Sequence, residues 1–300
     1  MALEHDNWKG TTGGLPWMQR TLIRLLAVID QRIIYGVLCL VVPFYMLFNH
    51  KGYISMYHFF REGFQESCWK AFWHVYANHF RFGQIIIDRF AAFGGRTFRF
   101  EYGEGKEAYF ELARQAEGFV QLSCHMGNYE LAGYSLKQEV KKMYALVFLG
   151  ETETMMENRR KMFSVKGVEM VPVKPDMSHI FELNNALRDG QIASMPGDRI
   201  FGSPKSLDSV FLGHPVRLPF GPFQLALLRE VPMAAIFVMK ERWDTYKVYF
   251  RIMRADAGLG KKEQAQQLAD AFAGEMEKIV RLYPTQWFNY YEFWTDNKKD

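Results

Sequence analysis

The residues best suited to carry out chemistry lie in the segment Ser123–Glu130, which reads SCHMGNYE. His125 is followed five positions later by a carboxylate, Glu130. The apolar run FVQLSC precedes this segment and the helix-like pattern YELAGYSLK follows it, so His125 is predicted to lie where a buried strand ends and a helix begins. Loops at the carboxyl ends of strands open into the crevice in which α/β proteins place their chemistry. We expect Glu130 to accept a hydrogen bond from one ring nitrogen of His125 and so to make the histidine an oriented general base.

The same segment predicts how the transition state would be stabilised. Backbone N–H groups near Gly127 and Asn128, at the start of a helix, are candidates for an oxyanion site. The sequence has no Gly-x-Ser-x-Gly elbow, no Walker motif and no His-Glu-x-x-His motif. Cys124 is expected to be a buried and inert neighbour, because successive side chains of a strand point to opposite faces. This favours direct group transfer from an activated donor, without a covalent enzyme intermediate. The competing interpretation is a structural histidine, followed by a glutamate that only complements the helix dipole.

Two further clusters follow predicted strands. The first is Pro196-Gly197-Asp198-Arg199, in which Arg199 could bind a phosphate or polarise a carbonyl while Asp198 orients it. The alternative is a surface turn with a local ion pair. The second is the segment 210–223, VFLGHPVRLPFGPF, whose glycines and prolines shape a tight connection between a strand and a helix. Its apolar side chains could line an acyl groove or pack the core, and His214 is expected to be a loop residue.

Composition limits the function classes. Three hundred residues, about half of them apolar, suit one large α/β domain with an appendage or two small domains. A net charge of +4 is too small and too dispersed to indicate a nucleic-acid partner. The three cysteines, Cys39, Cys68 and Cys124, have no metal-binding spacing, so no metal is predicted, and their odd, sparse count suits a reducing compartment.

The amino-terminal part contains a membrane candidate. Residues 33–48, IIYGVLCLVVPFYMLF, are sixteen residues without a charge. A helix of this length measures about 24 Å, slightly short of a full bilayer crossing. A membrane anchor, spanning or re-entrant, is the favoured interpretation, and a buried core helix is the alternative.

The rest of the chain alternates between strand and helix patterns, which predicts an α/β sandwich. Residues 53–93 are predicted to be helical, because aromatic residues recur at spacings of three and four. A strand is predicted over 210–218 and a long helix over 261–282. The glycines at 103 and 105 formally resemble a dinucleotide fingerprint, but a turn that feeds a helix explains both.

The three clusters, in this order and at these separations, resemble the lysophospholipid acyltransferase superfamily, and within it the late acyltransferases of bacterial lipid A biosynthesis. The resemblance runs from the amino-terminal apolar segment to Pro284-Thr285-Gln286-Trp287. It rests on the His-x4-Glu block, the later Asp motif, and the block Gly-His-Pro-Val-Arg-Leu-Pro-Phe-Gly-Pro. It implies a central mixed sheet flanked by helices, as in glycerolipid acyltransferases, with a membrane-associated segment at residues 1–93 and an acyltransferase core at 94–300.

The resemblance also implies roles for single residues. His125 would be the catalytic base and Glu130 its partner, and Asp198 with Arg199 matches the acidic strand-end motif of that branch. Arg159 or Arg160 would belong to an arginine-containing helix that contacts an anionic head group. The implied reaction moves a fatty acyl chain from acyl carrier protein or coenzyme A to a lipid acceptor. It would take place at the cytoplasmic face of the bacterial inner membrane, without a further cofactor.

One departure from that branch bears on the acceptor. After Pro284-x-Gln286 the lipid A enzymes tend to continue with arginine-rich sequence, whereas this chain continues WFNYYEFW. A highly phosphorylated acceptor favours basic groups, so an amino-acid lipid, an aryl-polyene-type lipid and a lysophospholipid stay open beside a lipid A precursor. Two other functions stay open as well: a non-catalytic, membrane-associated lipid-binding protein, and a lipid esterase or thioesterase that uses water as the acceptor.

Overall fold

The computed structural model describes residues 16–131, 140–148, 150, 152–200 and 205–295. The strands in these ranges are β1 (Arg99–Tyr102), β2 (Phe119–Ser123), β3 (Met143–Val147), β4 (Val168–Pro172), β5 (Ile192–Pro196), β6 (Ser206–Phe211), β7 (His214–Pro219), β8 (Met233–Lys240) and β9 (Thr245–Met253). The α-helices are α1 (Pro16–Val28), α2 (Gln31–Phe48), α3 (His50–His58), α4 (Cys68–Phe93), α5 (Lys106–Arg114), α6 (Glu153–Val165), α7 (Ser178–Arg188), α8 (Phe220–Arg229) and α9 (Lys261–Leu282).

Within the described ranges, seven strands form one mixed sheet in the order β1-β9-β8-β2-β5-β3-β4. Neighbouring strands run parallel except β8 and β9, which pair antiparallel. The central strands β2 and β5 therefore end at the same edge, where chemistry is expected in an α/β fold.

Alternating side chains of the sheet pack into two helical layers. Phe119 in β2 shares a core cluster with Tyr109 of α5 and Phe163 of α6. Its neighbours Val120 and Leu122 belong to the core on the other face, together with α7, α8 and α9. This alternation follows from the two-residue period of a strand. Helices on both faces of a mixed sheet confirm the predicted α/β sandwich.

The predicted single strand over 210–218 is wrong, because these residues belong to two strands of a hairpin. β6 and β7 pair antiparallel across a turn at Leu212 and Gly213, whose φ angles are 54° and 85°. Two consecutive positive φ angles produce the kind of tight turn that joins adjacent strands. The apolar pattern does not reveal this turn, because Phe211 before it, Leu212 within it and Val216 after it are all apolar and buried.

The predicted helix over 53–93 is interrupted. α3 ends at His58, a π-helical turn covers Phe59–Gly63, and α4 begins only at Cys68. Ser67 caps α4 by accepting a hydrogen bond from the backbone N–H of Lys70. The aromatic pattern does not reveal this break, because the residues at 59 and 60 within it are also aromatic and buried.

The apolar helix α2 packs one narrow stripe against the rest of the protein. Tyr35, Val42 and Met46 are buried, whereas Leu40 and Phe48 are 71% and 88% exposed. By length and composition, α2 is the one helix among the described residues that could cross a membrane, and 22% of its span is buried.

Candidate active site

His125 and Asp198 meet because their strands are neighbours in register. β2 and β5 run parallel with Ser123 opposite Pro196, so the residues two positions further on face each other beyond the strand ends. Nδ1 of His125 lies 2.9 Å from Oδ1 and 3.1 Å from Oδ2 of Asp198. The backbone N–H of His125 donates to Oδ2 over 2.8 Å. Asp198 therefore holds both the ring and the backbone of the histidine.

This arrangement sets the tautomer and the charge of His125. An ionised carboxylate only accepts hydrogen bonds, so Nδ1 carries the proton and Nε2 keeps its lone pair. Burial favours a raised pKa for Asp198, but its contacts with His125 and the charge of Arg199 outweigh burial and hold that pKa below its usual range. Burial lowers the pKa of His125 and Arg199 adds to this effect, while Asp198 opposes it only in part. The imidazole is therefore neutral and basic at neutral pH.

The prediction that Glu130 orients His125 is wrong. Among the described residues, the ring of His125 hydrogen-bonds to Asp198, whereas Glu130 binds two arginines. Its Oε1 lies 2.5 Å from Nη2 of Arg89 and 2.7 Å from Nη2 of Arg159. Glu130 stands in the first helical residues after the loop, and it projects towards α4 and α6, which carry these two cations.

The Glu130 cluster is buried and charged. The side chains of Arg89, Glu130 and Arg159 are exposed by 9%, 7% and 7%. Burial favours a raised pKa for Glu130, but the guanidinium groups of Arg159 and Arg89 outweigh burial and keep this pKa below its usual range. The three side chains themselves carry two positive charges and one negative charge.

The predicted oxyanion donors are also occupied. The N–H of Gly127 donates to the carbonyl of Gln286 and the N–H of Asn128 to the carbonyl of Val238, both over 2.8 Å. Gly127 has a φ of +55°, and a Cβ atom there would lie 2.1 Å from the oxygen of Val238. These N–H groups therefore tie the loop to β8 and to the carboxyl-terminal segment, and they do not point at a substrate.

The carboxyl-terminal segment at 286–288 supports the histidine loop, a role that the sequence analysis did not assign. The N–H of Phe288 donates to the carbonyl of His125 over 2.9 Å. The side chain of Gln286 accepts from the N–H of Lys240 and donates to its carbonyl, and Trp287 is buried. The aromatic run WFNYY therefore packs behind the histidine loop. Its aromatic composition is the sequence feature that could have indicated this role.

A cavity of about 180 Å³ lies beside these groups. His125, Glu130 and Arg159 contribute to its lining, together with Gln121, Ser123 and Ser194. Most other lining side chains are apolar, including Met143, Ala145, Val147, Phe148, Phe163 and Val168. The cavity runs along the face of the sheet that α6 covers, so the imidazole of His125 lies at the wall of a largely apolar space.

The other predicted site residues lie in different environments. Arg159 lines the cavity, whereas Arg160, one residue further along α6, is exposed to solvent. Arg199 donates from Nη2 to the carbonyl of Phe288 over 2.9 Å, and its Cζ lies 5.5 Å from the ring centre of Tyr291. Cys124 is buried in the opposite core layer, and this burial raises the pKa of its thiol, as expected for an inert cysteine.

A known protein family matches most of the chain. The family model described as bacterial lipid A biosynthesis acyltransferase matches residues 89–295. No curated protein sequence matches the chain. The crystal structure of the 1-acyl-sn-glycerophosphate acyltransferase PlsC from Thermotoga maritima is similar at 13% sequence identity, with a TM-score of 0.39, over 86% of this chain and 99% of that chain.

Proposed function

The chain belongs to the bacterial lipid A biosynthesis acyltransferase family and is an acyltransferase, and we propose that His125 is its general base, with Asp198 in place of Glu130 as the orienting carboxylate. The observation that carries this proposal is the contact of 2.9 Å between Nδ1 of His125 and Oδ1 of Asp198 at the wall of the apolar cavity. The proposed reaction moves an acyl chain from a thioester to a hydroxyl or amine of a lipid.

The proposed step needs one base and no covalent intermediate. Nε2 of His125 takes the proton of the acceptor as its oxygen or nitrogen attacks the thioester carbonyl. The C–S bond of the tetrahedral intermediate then breaks, and the departing thiolate recovers the proton from Nε2. Asp198 stabilises the imidazolium that exists between these two events. The donor is an acyl thioester of acyl carrier protein or of coenzyme A.

The cavity suits the acyl chain. A cavity of about 150 Å³ with apolar walls holds one benzene ring, so 180 Å³ accommodates an apolar segment of roughly seven or eight carbon atoms on the same scale. A chain that enters beside His125 would lie between α6 and the sheet, with its carbonyl close to the base.

The acceptor is proposed to carry an anionic head group. Arg159 lines the cavity beside Glu130, and Arg89 binds the same carboxylate. The three side chains together carry more positive than negative charge, which favours an anion such as a phosphate. The buried aromatic segment at 286–288 occupies the place where basic residues were expected, so its composition does not discriminate among acceptors. A lipid A precursor, an amino-acid lipid, an aryl-polyene-type lipid and a lysophospholipid are the candidates to test.

The protein is proposed to act at the cytoplasmic face of the bacterial inner membrane. The exposed face of α2 carries Ile33, Val37, Leu40, Phe44 and Phe48 at spacings of three and four. Further large apolar side chains are exposed on the first turns of α4, among them Trp69 and Trp73. Aromatic and aliphatic side chains on one surface suit the boundary between lipid and water.

The test uses purified full-length protein in lipid vesicles, with an acyl thioester and each candidate acceptor in turn. We expect transfer to one acceptor class, and loss of transfer in His125→Ala with the protein still folded by circular dichroism. Transfer at a near wild-type rate in His125→Ala would remove the histidine from the mechanism. Release of free fatty acid at the same rate with and without acceptor would show a thioesterase instead.

A further inference from the structure

The cavity wall contains a buried polar pair, Gln121 of β2 and Ser194 of β5. These residues are opposite each other in the parallel register, and Nε2 of Gln121 donates to Oγ of Ser194 over 3.2 Å. The hydroxyl of Tyr109 donates to Oε1 of Gln121 over 2.9 Å. Gln121 is 3% exposed and Ser194 is 9% exposed, yet both line the cavity. The pair is thus held by the protein and still faces the open space.

The pair has hydrogen-bond donors that the protein does not fully use. Gln121 has a second N–H on Nε2, and the further acceptor near this nitrogen is the weakly accepting sulfur of Met143 at 3.7 Å. The hydroxyl of Ser194 accepts from Gln121, and its own proton has no acceptor in the part of the chain that the structure describes. Buried donors that have only a weak acceptor or none are unfavourable. An oxygen atom on a ligand could accept hydrogen bonds from both the Gln121 amide and the Ser194 hydroxyl.

The position of the pair relates it to the acyl chain. His125, Ser123 and Gln121 alternate along one direction and line the same cavity, so Gln121 lies about 13 Å along the strand from His125. Below this level the lining is apolar again, with Met143 and Val168. A chain that starts at the base would therefore pass Ser123, reach the pair Gln121 and Ser194, and then meet hydrocarbon wall.

We propose that Gln121 and Ser194 form a subsite for a neutral oxygen atom carried on the acyl chain, so that the enzyme selects oxygenated acyl chains over plain hydrocarbon chains. The proposal rests on the acyltransferase function proposed above, because it assigns the cavity to the acyl donor. Both side chains are uncharged, so the oxygen belongs to a hydroxyl, ether or carbonyl group and not to a carboxylate.

The test compares matched acyl thioesters. Each probe carries a hydroxyl on its terminal carbon, in chains of roughly six to twelve carbons, because the pair lies about 13 Å from the base. Its partner is the plain chain that is one carbon longer, which has the same number of non-hydrogen atoms. We expect kcat/KM for the best hydroxylated chain to exceed that of its partner by about three- to tenfold, the size of one hydrogen bond.

The variants locate the preference. Ser194→Ala removes one oxygen and is expected to abolish the preference, and Gln121→Met is expected to do the same. Ser209→Ala is the matched control, because Ser209 is also buried but its hydroxyl binds Asp270, and it should keep the wild-type preference. Equal kcat/KM for both members of every pair, or a preference that survives in Ser194→Ala, would overturn the proposal.

A binding measurement separates this proposal from the proposed function. Calorimetry with the free terminally hydroxylated and plain fatty acids reports the subsite without any turnover. Absence of transfer from every thioester, with tighter binding of the hydroxylated acid in the wild type only, would refute the transfer reaction and keep the subsite. Transfer from all thioesters with equal binding of both acids would keep the reaction and refute the subsite, as expected if the pair holds only water.

Discussion

Asp198 is 73 residues away from His125 along the chain, and its carboxylate binds both Nδ1 and the backbone N–H of that histidine. The nearer carboxylate, Glu130, binds Arg89 and Arg159 instead. The acid that follows the histidine in sequence and the acid that orients it in space are therefore different residues. The two acids are predicted to respond differently to substitution.

Asp198→Asn is expected to reduce kcat by about 10²- to 10⁴-fold, the usual contribution of an oriented base. An asparagine can present its amide N–H₂ to Nδ1, which would move the ring proton to Nε2 and remove the lone pair that accepts the acceptor proton. Steady-state kinetics in vesicles measure this effect. The control is Asp189→Asn, an exposed aspartate after α7, which should retain full activity. A change of less than about twofold in Asp198→Asn would contradict the assignment of Asp198 as the orienting group.

Glu130→Gln is expected to destabilise the protein by about 3–5 kcal/mol, because it leaves two guanidinium groups buried without their carboxylate. Chemical denaturation followed by circular dichroism measures this loss. Glu157→Gln on α6 is the comparison, since the ion pair of Glu157 with Lys161 is exposed, and it should unfold like the wild type. Wild-type stability in Glu130→Gln, combined with a large loss of turnover, would favour a direct catalytic role for this residue.

We expect kcat/KM to fall at acidic pH, with a midpoint below the ordinary histidine pKa of 6.5. Burial lowers the pKa of His125. The neutral imidazole is the active form in the proposed mechanism, so activity should fall as the pH falls through this lowered pKa. Activity should therefore already be at its plateau at neutral pH. A midpoint that lies above pH 6.5 would mean that another group controls the rate.

Gly127→Ala is expected to disturb the histidine loop. The new Cβ would lie 2.1 Å from the carbonyl oxygen of Val238, at a φ of +55°, and the backbone strain alone costs about 1–3 kcal/mol. The temperature of thermal unfolding (Tm) and kcat should both decrease. Gly221→Ala provides the control, because a Cβ at Gly221 meets no atom within 4 Å. A stable and fully active Gly127→Ala variant would show that the loop does not need its contact with β8.

The exposed face of α2 is expected to drive vesicle binding. Leu40→Gln and Phe44→Gln each remove a large exposed apolar side chain, and each should weaken binding to vesicles by about tenfold. Co-sedimentation with vesicles that contain anionic lipid measures this. Leu282→Gln changes a leucine of similar exposure at the end of α9, and this variant should bind like the wild type. Equal binding by all three variants would place the membrane contact elsewhere.

The sequence by itself determined those features that depend on local pattern. The alternation of strand and helix predicted the α/β sandwich, the end of a buried strand marked His125, and the order of the motifs indicated the family that the family model confirms. Cys124 could be assigned to the core because neighbouring strand residues face opposite ways. Each of these inferences uses residues that are close together along the chain or an ordered set of motifs.

Only the tertiary structure decided which groups meet. Whether Glu130 or Asp198 reaches His125 depends on the register of β2 against β5, which no local pattern contains. The N–H groups of Gly127 and Asn128 were unavailable because β8 and the segment at 286–288 supply their acceptors from distant parts of the chain. Hydrogen bonds and ion pairs act over a few ångströms of space. Their partners are therefore set by packing, and distance along the chain does not reveal them.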